Sequence, residues 1–422
     1  MRTEIKCSFE TLFIFGSQIP ISRSTFAASQ NMGEKWTLQS AAEEKAPGLH
    51  PFAGARLRVF LRHALLTPGL DPRSRYQRFI AWVGQILRFP LATIEKVKYG
   101  PRIARKPIEK PPVFLIGHWR SGTTHLHNLM SRDPQFGFLR FTETAMPLDM
   151  LGPKVRIARK IIDRALPEDR GFDKVRLALD EPQEEEMALG NLNPIGYYNI
   201  YCFPREMGRH RDRSMFFEDC SDAERERFRK NYELLIRKLN YAKDGKQLLL
   251  KNPPSTTRME MILEMFPDAK FVHIVRNPWE VYSSTRSHFA RVFNAFAWQS
   301  FQEVDIPDYT LETYEKVMTK YLADRDRLAL PSGQFVETSY EEITKNPLAE
   351  IGRIYDQLGL DGKEDSLSEI ASYLEGIEGY ERNVHTVSPD EAAAIRERWG
   401  FSFDAWGYEK EPPESIQISQ PR

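Results

Sequence analysis

Phe114-Leu115-Ile116-Gly117-His118-Trp119-Arg120-Ser121-Gly122-Thr123-Thr124-His125-Leu126 is the stretch on which the reading of this chain turns. It closes an all-apolar run, Val113 to Ile116, bounded by Pro111-Pro112 and Gly117. A run of that length without a polar break suits a strand covered on both faces in a parallel sheet. A short turn leads to Gly122, and Thr123-Thr124 opens a helix. The first N–H groups of a helix have no intrahelical partner and sit at the positive end of its dipole, so a glycine-containing loop can converge them on a phosphate. The expected geometry is that of a phosphate-binding loop. A nucleotide-hydrolysing loop of this shape carries Lys and then Ser/Thr after its second glycine, for the β/γ-phosphates and for Mg²⁺. Here Thr123 follows Gly122, and the cation comes earlier, as Arg120. The loop suits a phosphate without being built for a magnesium triphosphate.

Outward from this loop the chain repeats the same grammar. Leu248-Leu249-Leu250, Phe271 to Val275 and Phe335 to Thr338 read as further buried strands. Helical patterns lie over 123–132, 225–240, 257–266 and 279–289. Strands alternating with helices predict a three-layer α/β domain with a central parallel sheet. The stretches 145–245 and 290–333 are too long for simple crossovers and are expected to be helical insertions that cover the site.

Three further segments place chemistry at strand ends, where α/β folds bind ligands. Arg276 follows the apolar run 271–275, and Ser284 lies eight residues on in a new helix. A guanidinium and a hydroxyl together suit a terminal phosphate dianion. Lys251 follows Leu248-Leu249-Leu250 and precedes Asn252-Pro253-Pro254. Tyr340 closes Glu337-Thr338-Ser339.

In this order the four segments resemble the sulfotransferases that use 3′-phosphoadenosine 5′-phosphosulfate (PAPS). Arg120-Ser121-Gly122-Thr123-Thr124 is similar to that family's 5′-phosphosulfate signature, with arginine where the cytosolic branch has lysine and the bacterial and tyrosylprotein branches have arginine. The resemblance implies a P-loop-like fold and PAPS as cofactor, released as 3′-phosphoadenosine 5′-phosphate, with no metal. It implies that Arg120, Ser121, Gly122, Thr123 and Thr124 hold the 5′-phosphosulfate, that Arg276 and Ser284 hold the 3′-phosphate, and that Tyr340 lies near the nucleotide. Lys251 and Arg120 would stabilise the transferring group. Arg382, ahead of Asn383-Val384-His385, stands where relatives place a C-terminal basic loop.

The cytosolic branch has its catalytic histidine two residues after that lysine, and this chain has Pro253 there. Another base is therefore needed. Glu143, in Phe141-Thr142-Glu143-Thr144-Ala145-Met146-Pro147, resembles the glutamate base of the tyrosylprotein branch and is the expected choice. His118 in the loop and the carboxylates of 180–186 are its rivals, since both residue types do general acid–base work. The pair His125 and His127 points to different helix faces and does not suit a metal. Aromatic residues at Tyr197, Tyr198, Tyr201 and Phe203, and at Phe289, Phe293, Phe296 and Trp298, are candidates for an acceptor pocket or for core. The acceptor, a hydroxyl or amine on a small molecule, carbohydrate or lipid, is left open. A P-loop small-molecule kinase and a non-catalytic nucleotide-binding protein of the same fold are the alternative functions.

The composition is compatible with this reading and excludes others. The 422 residues have 59 Lys+Arg against 59 Asp+Glu, so a general nucleic-acid binder is not expected. The three cysteines form no CxxC pair, which fits a reducing, cytoplasmic setting. No apolar stretch approaches the length of a membrane span. Residues 1–50 read as a tail, with Met32 as an alternative start. Residues 51–110 read as a helical arm, with 96–110 as a solvated linker; 111–410 is the α/β domain and 411–422 a tail. The arm's apolar face is expected either to pack on the domain or, with its many arginines, to contact a membrane surface.

Overall fold

The computed structural model describes residues 50–151, 181–376 and 385–419. Five parallel strands form the central sheet: β1 (Val113–Ile116), β2 (Phe136–Gly137), β3 (Gln247–Lys251), β4 (Lys270–Val275) and β5 (Phe335–Ser339), in the order β2-β3-β1-β4-β5. The all-apolar runs are strands because both faces are covered. Phe114, Ile116, Leu248, Leu250 and Phe271 pack into one core; Val113, Leu115, Leu249, Val272 and Ile274 pack into the other. β1 lies in the middle, with Leu115 beside Lys251 of β3 and Ile116 beside His273 of β4. Lys251, the loop after β1, Arg276 and Tyr340 therefore all emerge at one edge of the sheet, the carboxyl end of its strands, next to the central strand.

Two helices precede the sheet, α1 (Leu57–Leu66) and α2 (Arg75–Arg105). The stretch expected as a linker is helical as far as Arg105, with Pro90 and Pro101 inside the helix. The arm is held by Phe52, Val59, Phe60 and Ala81, which cluster with Cys202, Phe203 and Trp298 of the main domain. Glu95 of α2 pairs with Lys238 at 2.5 Å, a buried ion pair that fixes the long helix against Asp222–Ala242.

After β1 come α3 (Thr123–Met130) and α4 (Phe141–Ala145). The described parts of the insertions carry helices at 186–192, 199–202, 207–211 and 222–242 in the first and at 306–328 in the second, joined by non-helical stretches such as 193–196 and 297–305. The C-terminal stretch expected as a tail carries a strand instead, β7 (Ile416–Ile418), paired in parallel with β6 (His385–Val387). Cys202 and Cys220 are free thiols. Arg382 lies outside the described residues.

Candidate active site

The turn after β1 is forced close to its neighbours. Gly117 has φ +144°, and a Cβ there would stand 2.4 Å from the Ile274 carbonyl oxygen. Its N–H donates to Thr256 Oγ1 at 2.8 Å, which ties the loop to the segment after β3. Arg120 adopts φ +68°, a left-handed conformation uncommon outside glycine. Gly122, at φ +95°, ends the turn, and a Cβ there would collide with the Tyr340 ring. Helix α3 then begins, and its first intrahelical bond is Leu126 N–H to the Gly122 carbonyl at 3.0 Å. The N–H groups of Thr123, Thr124 and His125 precede that first bond and face the strand edge with the helix dipole behind them.

The strained Arg120 backbone has a visible use. Its carbonyl accepts from Arg276 Nη1 at 3.2 Å, while its own Nε donates to Ser284 Oγ at 2.7 Å. The turn thus joins the two elements that sequence spacing had paired only with each other. Glu280 orients Arg276 by accepting from Nε at 2.7 Å and pairing with Nη2 at 2.5 Å. The Arg276 guanidinium lies over the Tyr340 ring, 4.1 Å from its centroid. Arg120, Ser121, Gly122, Thr123, Thr124, Arg276, Ser284 and Tyr340 form one contiguous group.

Lys251 closes the other side. Its side chain is 4% exposed. Nζ donates to Thr124 Oγ1 at 3.2 Å and to Glu184 Oε1 at 2.5 Å. Glu185, next in the chain, is fully buried and accepts the Lys251 backbone N–H on Oε1 at 2.8 Å. Its Oε2 has no hydrogen-bond partner among the described residues. Burial pushes the Glu185 carboxyl up to about 8, against the opposing pull of Lys251. Glu186 is also buried, but Arg258 (2.8 Å), Asn252 (2.9 Å) and the Tyr197 N–H (2.7 Å) all donate to it. Burial raises its pKa, yet these donors outweigh burial and hold it below the usual carboxylate range.

Glu143 is placed elsewhere. Both its oxygens accept from Lys243 Nζ, at 2.8 and 2.9 Å, and Oε2 also takes the Arg140 N–H. Among the described residues no hydrogen bond or ion pair joins Glu143 to Lys251, whose Nζ is held by Thr124 and Glu184. The structure does not bring Glu143 to Lys251. The carboxylates of 184–186 arrive instead because Arg140 bridges to Pro182 and Thr144 Oγ1 donates to the Glu184 carbonyl.

Beside the loop opens a small pocket of about 300 Å³, open mouth included. His118, Trp119, Tyr197, Tyr201, His288 and Phe289 line it, with Thr285, Thr310 and Thr313. Trp119 stacks on Tyr197 at 4.3 Å, and Tyr201 meets Tyr197 edge-on. Tyr197 and Tyr201 of the first aromatic group and Phe289 of the second thus supply pocket wall, whereas Phe203 and Trp298 belong to the arm's core. His118 Nδ1 lies 2.9 Å from the Trp119 carbonyl. A carbonyl only accepts, so Nδ1 carries the proton and Nε2 is a bare acceptor, without a partner among the described residues. Burial lowers the His118 pKa to about 4, so the ring is neutral at physiological pH. His127 is buried beside β3, near Leu249 and Lys251, with its pKa driven far down by burial. The arginines of 205–213 are neutralised locally: Arg211 by Asp212 and Glu312, Arg213 by Glu224, Arg209 by Glu206. Among the described residues no group of three His, Cys, Asp or Glu is placed to hold a metal ion.

Sequence alone could not show Glu186 and Arg258 as a buried pair, because 72 residues separate them and Glu186 reads there only as one carboxylate of the run 180–186. Trp119 against Tyr197 was likewise hidden, its partner lying in the long insertion.

Residues 111–365 match the family model described as "Sulfotransferase family". The chain is 28% identical over 324 residues to the omega-hydroxy-beta-dihydromenaquinone-9 sulfotransferase Stf3 of Mycobacterium bovis and of Mycobacterium tuberculosis, covering 77% of this chain and 82% of theirs. Its fold is similar to the crystal structure of sulfotransferase STF9 from Mycobacterium avium, with a TM-score of 0.66, 17% identity and coverage of 90% of this chain and 99% of that one. Sulfotransferase STF1 from Mycobacterium tuberculosis follows with a TM-score of 0.58, 19% identity and coverage of 81% and 90%.

Proposed function

The chain belongs to the sulfotransferase family, and we propose that it moves a sulfuryl group from PAPS to the hydroxyl of an apolar, lipid-like acceptor. The observation that carries the nucleotide assignment is the Arg120 junction, with its carbonyl on Arg276 and its Nε on Ser284. PAPS has two anionic ends, and the site offers two anion stations joined by one residue. The α3 N-terminus with Ser121, Thr123 and Thr124 suits the 5′-phosphosulfate; Arg276 and Ser284 suit the 3′-phosphate. Tyr340 backs both stations, under Arg276 and against Gly122.

When bound, PAPS supplies the sulfuryl group, which leaves the 5′-phosphate as its S–O bond breaks and bonds to the acceptor oxygen. The bond electrons stay on the phosphate oxygen, and the hydroxyl proton must go to a base. Lys251 is held between Thr124 and Glu184, where its charge can offset the negative charge that builds on the phosphate oxygen. We assign the base to Glu184 rather than Glu143. Glu184 is partly exposed, touches the Lys251 ammonium and lies near Tyr201 of the pocket wall. Glu185 and Glu186 are positioning residues: one holds the Lys251 backbone, the other braces Tyr197, Asn252 and Arg258. Neutral His118 stays an acceptor at the pocket and can hydrogen-bond the incoming hydroxyl through Nε2.

The aromatic pocket favours an apolar body carrying one hydroxyl. The mycobacterial relative named above is named for a hydroxylated menaquinone, which agrees with that chemistry. Transfer of label from [³⁵S]PAPS would be measured with three acceptors: an omega-hydroxylated prenyl quinone, a simple phenol and a monosaccharide. Preferential labelling of the hydroxylated prenyl chain is expected. Labelling of the sugar alone would overturn the acceptor class, and no labelling of any acceptor despite PAPS binding would favour a non-catalytic nucleotide binder.

A further inference from the structure

Helix α2 is amphipathic in the wrong sense for a helix that only packs on a protein. A helix on a globular domain turns its apolar stripe inward. Here the inward positions are Ala81, Gln85, Glu95 and Ile103, two of them polar. Phe79, Val83, Ile86, Pro90, Ile94 and Val97 recur at helical spacing on the opposite side. Phe79 is 57% exposed, Ile86 49% and Val97 73%. Trp82, Leu87 and Phe89 widen the stripe, and Leu65 and Leu66 of α1 are each 73% exposed. Among the described residues the large exposed hydrophobics are almost confined to this arm, with only Leu234 and Ile418 elsewhere.

The charge on the arm indicates what covers the stripe. α2 carries one acidic residue, Glu95, and it is buried on Lys238. Arg75, Lys96, Lys98, Arg102 and Arg105 are all exposed. At 100° per residue Lys96 falls on one flank of the stripe, and Lys98 and Arg102 on the other. A chain with no net charge thus concentrates positive charge, without an ion pair among the described residues, along the rims of the apolar face that holds most of their exposed large hydrophobics. An apolar strip between cationic rims matches a lipid surface with anionic headgroups. A second copy of the same arm would bring like charges together along both rims. Among the described residues no helix is long and apolar enough to cross a membrane, so the contact is one that lies on the surface.

We propose that α1 and α2 dock this protein on an anionic lipid bilayer through the outward apolar stripe of α2. The arm is rooted on the walls of the aromatic pocket. Tyr201 lines that pocket, and Cys202 and Phe203, directly after it, pack in the arm's core. His50, at the foot of the arm, hydrogen-bonds the Phe296 carbonyl at 3.1 Å, on the helix that carries Ser284, His288 and Phe289. Docking would therefore anchor the acceptor side of the site close to the bilayer. The surface assignment stands on exposure and charge and holds whether or not the acceptor is a lipid.

The test is flotation of the full chain with vesicles of phosphatidylcholine, with and without 30 mol% phosphatidylglycerol. Binding is expected only with the anionic lipid and is weakened by high salt. Phe79→Asp/Ile86→Asp is expected to lower binding at least tenfold, and each of Lys98→Gln and Arg102→Gln about fivefold. The variants should keep metal-free binding of 3′-phosphoadenosine 5′-phosphate, which separates loss of docking from loss of fold or nucleotide site. Absence of flotation with anionic vesicles would overturn the proposal. So would flotation unchanged by the two aspartates, or a dimer of the free protein that those aspartates dissociate.

Discussion

Gly122 is the residue at which the loop after β1 packs against Tyr340 in the proposed nucleotide site, and its replacement by alanine gives a calculable result. At φ +95° any L residue bears a left-handed strain of about 1–2 kcal/mol. The new Cβ would stand 2.4 Å from Tyr340 Cδ2 and 3.3 Å from Cγ and Cε2. That is roughly 1 Å inside carbon–carbon contact, an overlap of the kind that costs about 1–3 kcal/mol in packed surroundings. The sum is a loss of about 2–5 kcal/mol. Tyr340 can relieve the overlap only by moving from beneath Arg276, whose guanidinium lies 4.1 Å from the ring centroid. Urea unfolding of Gly122→Ala, Tyr340→Ala and the double variant forms a cycle. The double variant should be about 1–3 kcal/mol less destabilised than the sum of the singles, because the overlap vanishes while the backbone strain stays. Affinity for 3′-phosphoadenosine 5′-phosphate should fall at least tenfold in Gly122→Ala. Strict additivity, or a Gly122→Ala variant within about 0.5 kcal/mol of wild type, would refute the packing argument.

Glu184→Gln should lower kcat by roughly 10²–10⁴-fold in the transfer assay with nucleotide affinity little changed, whereas Glu143→Gln should leave kcat near wild type; the reverse pattern would return the base to Glu143. Glu185 keeps a proton in the fold that the unfolded chain loses near its ordinary value of 4.5, and releases it only at about 8. Stability should therefore fall as pH rises between those values and level off above them, and Glu185→Gln should flatten that slope and be more stable by on the order of 2–4 kcal/mol above pH 8. An unchanged slope in denaturant titrations across pH 5–9 would show that Glu185 is not the group responsible.

Much of this fold was legible because its buried strands are unusually pure. Val113–Ile116 has no polar residue to confuse it with a surface strand, and it appears with those bounds. Phe136–Gly137 is only two residues long and leaves no periodicity to read, so β2 escaped notice. The density of charge ahead of Pro111-Pro112 suggested a linker after Lys96, yet α2 continues through Pro101 to Arg105, tied to the domain at Glu95. The grouping of Arg120, Arg276 and Tyr340 followed from residue types at strand ends, since a strand's last residue fixes where its side chain emerges. The place of Glu184 beside Lys251 did not follow, because it depends on how a long insertion returns to the sheet. Glu143 sits in a short helix whose other contacts carry Glu184, and not Glu143, to Lys251.

The most direct measurement of the central claim is calorimetric titration of 3′-phosphoadenosine 5′-phosphate into the chelator-treated protein, wild type and Arg276→Ala, with ATP–Mg²⁺ as competitor. The account predicts metal-free binding that ATP–Mg²⁺ does not displace at comparable concentration. Arg276→Ala should weaken it about 10–150-fold, as expected for loss of hydrogen bonds to a charged group. Preference for ATP–Mg²⁺, or binding indifferent to Arg276, would contradict it.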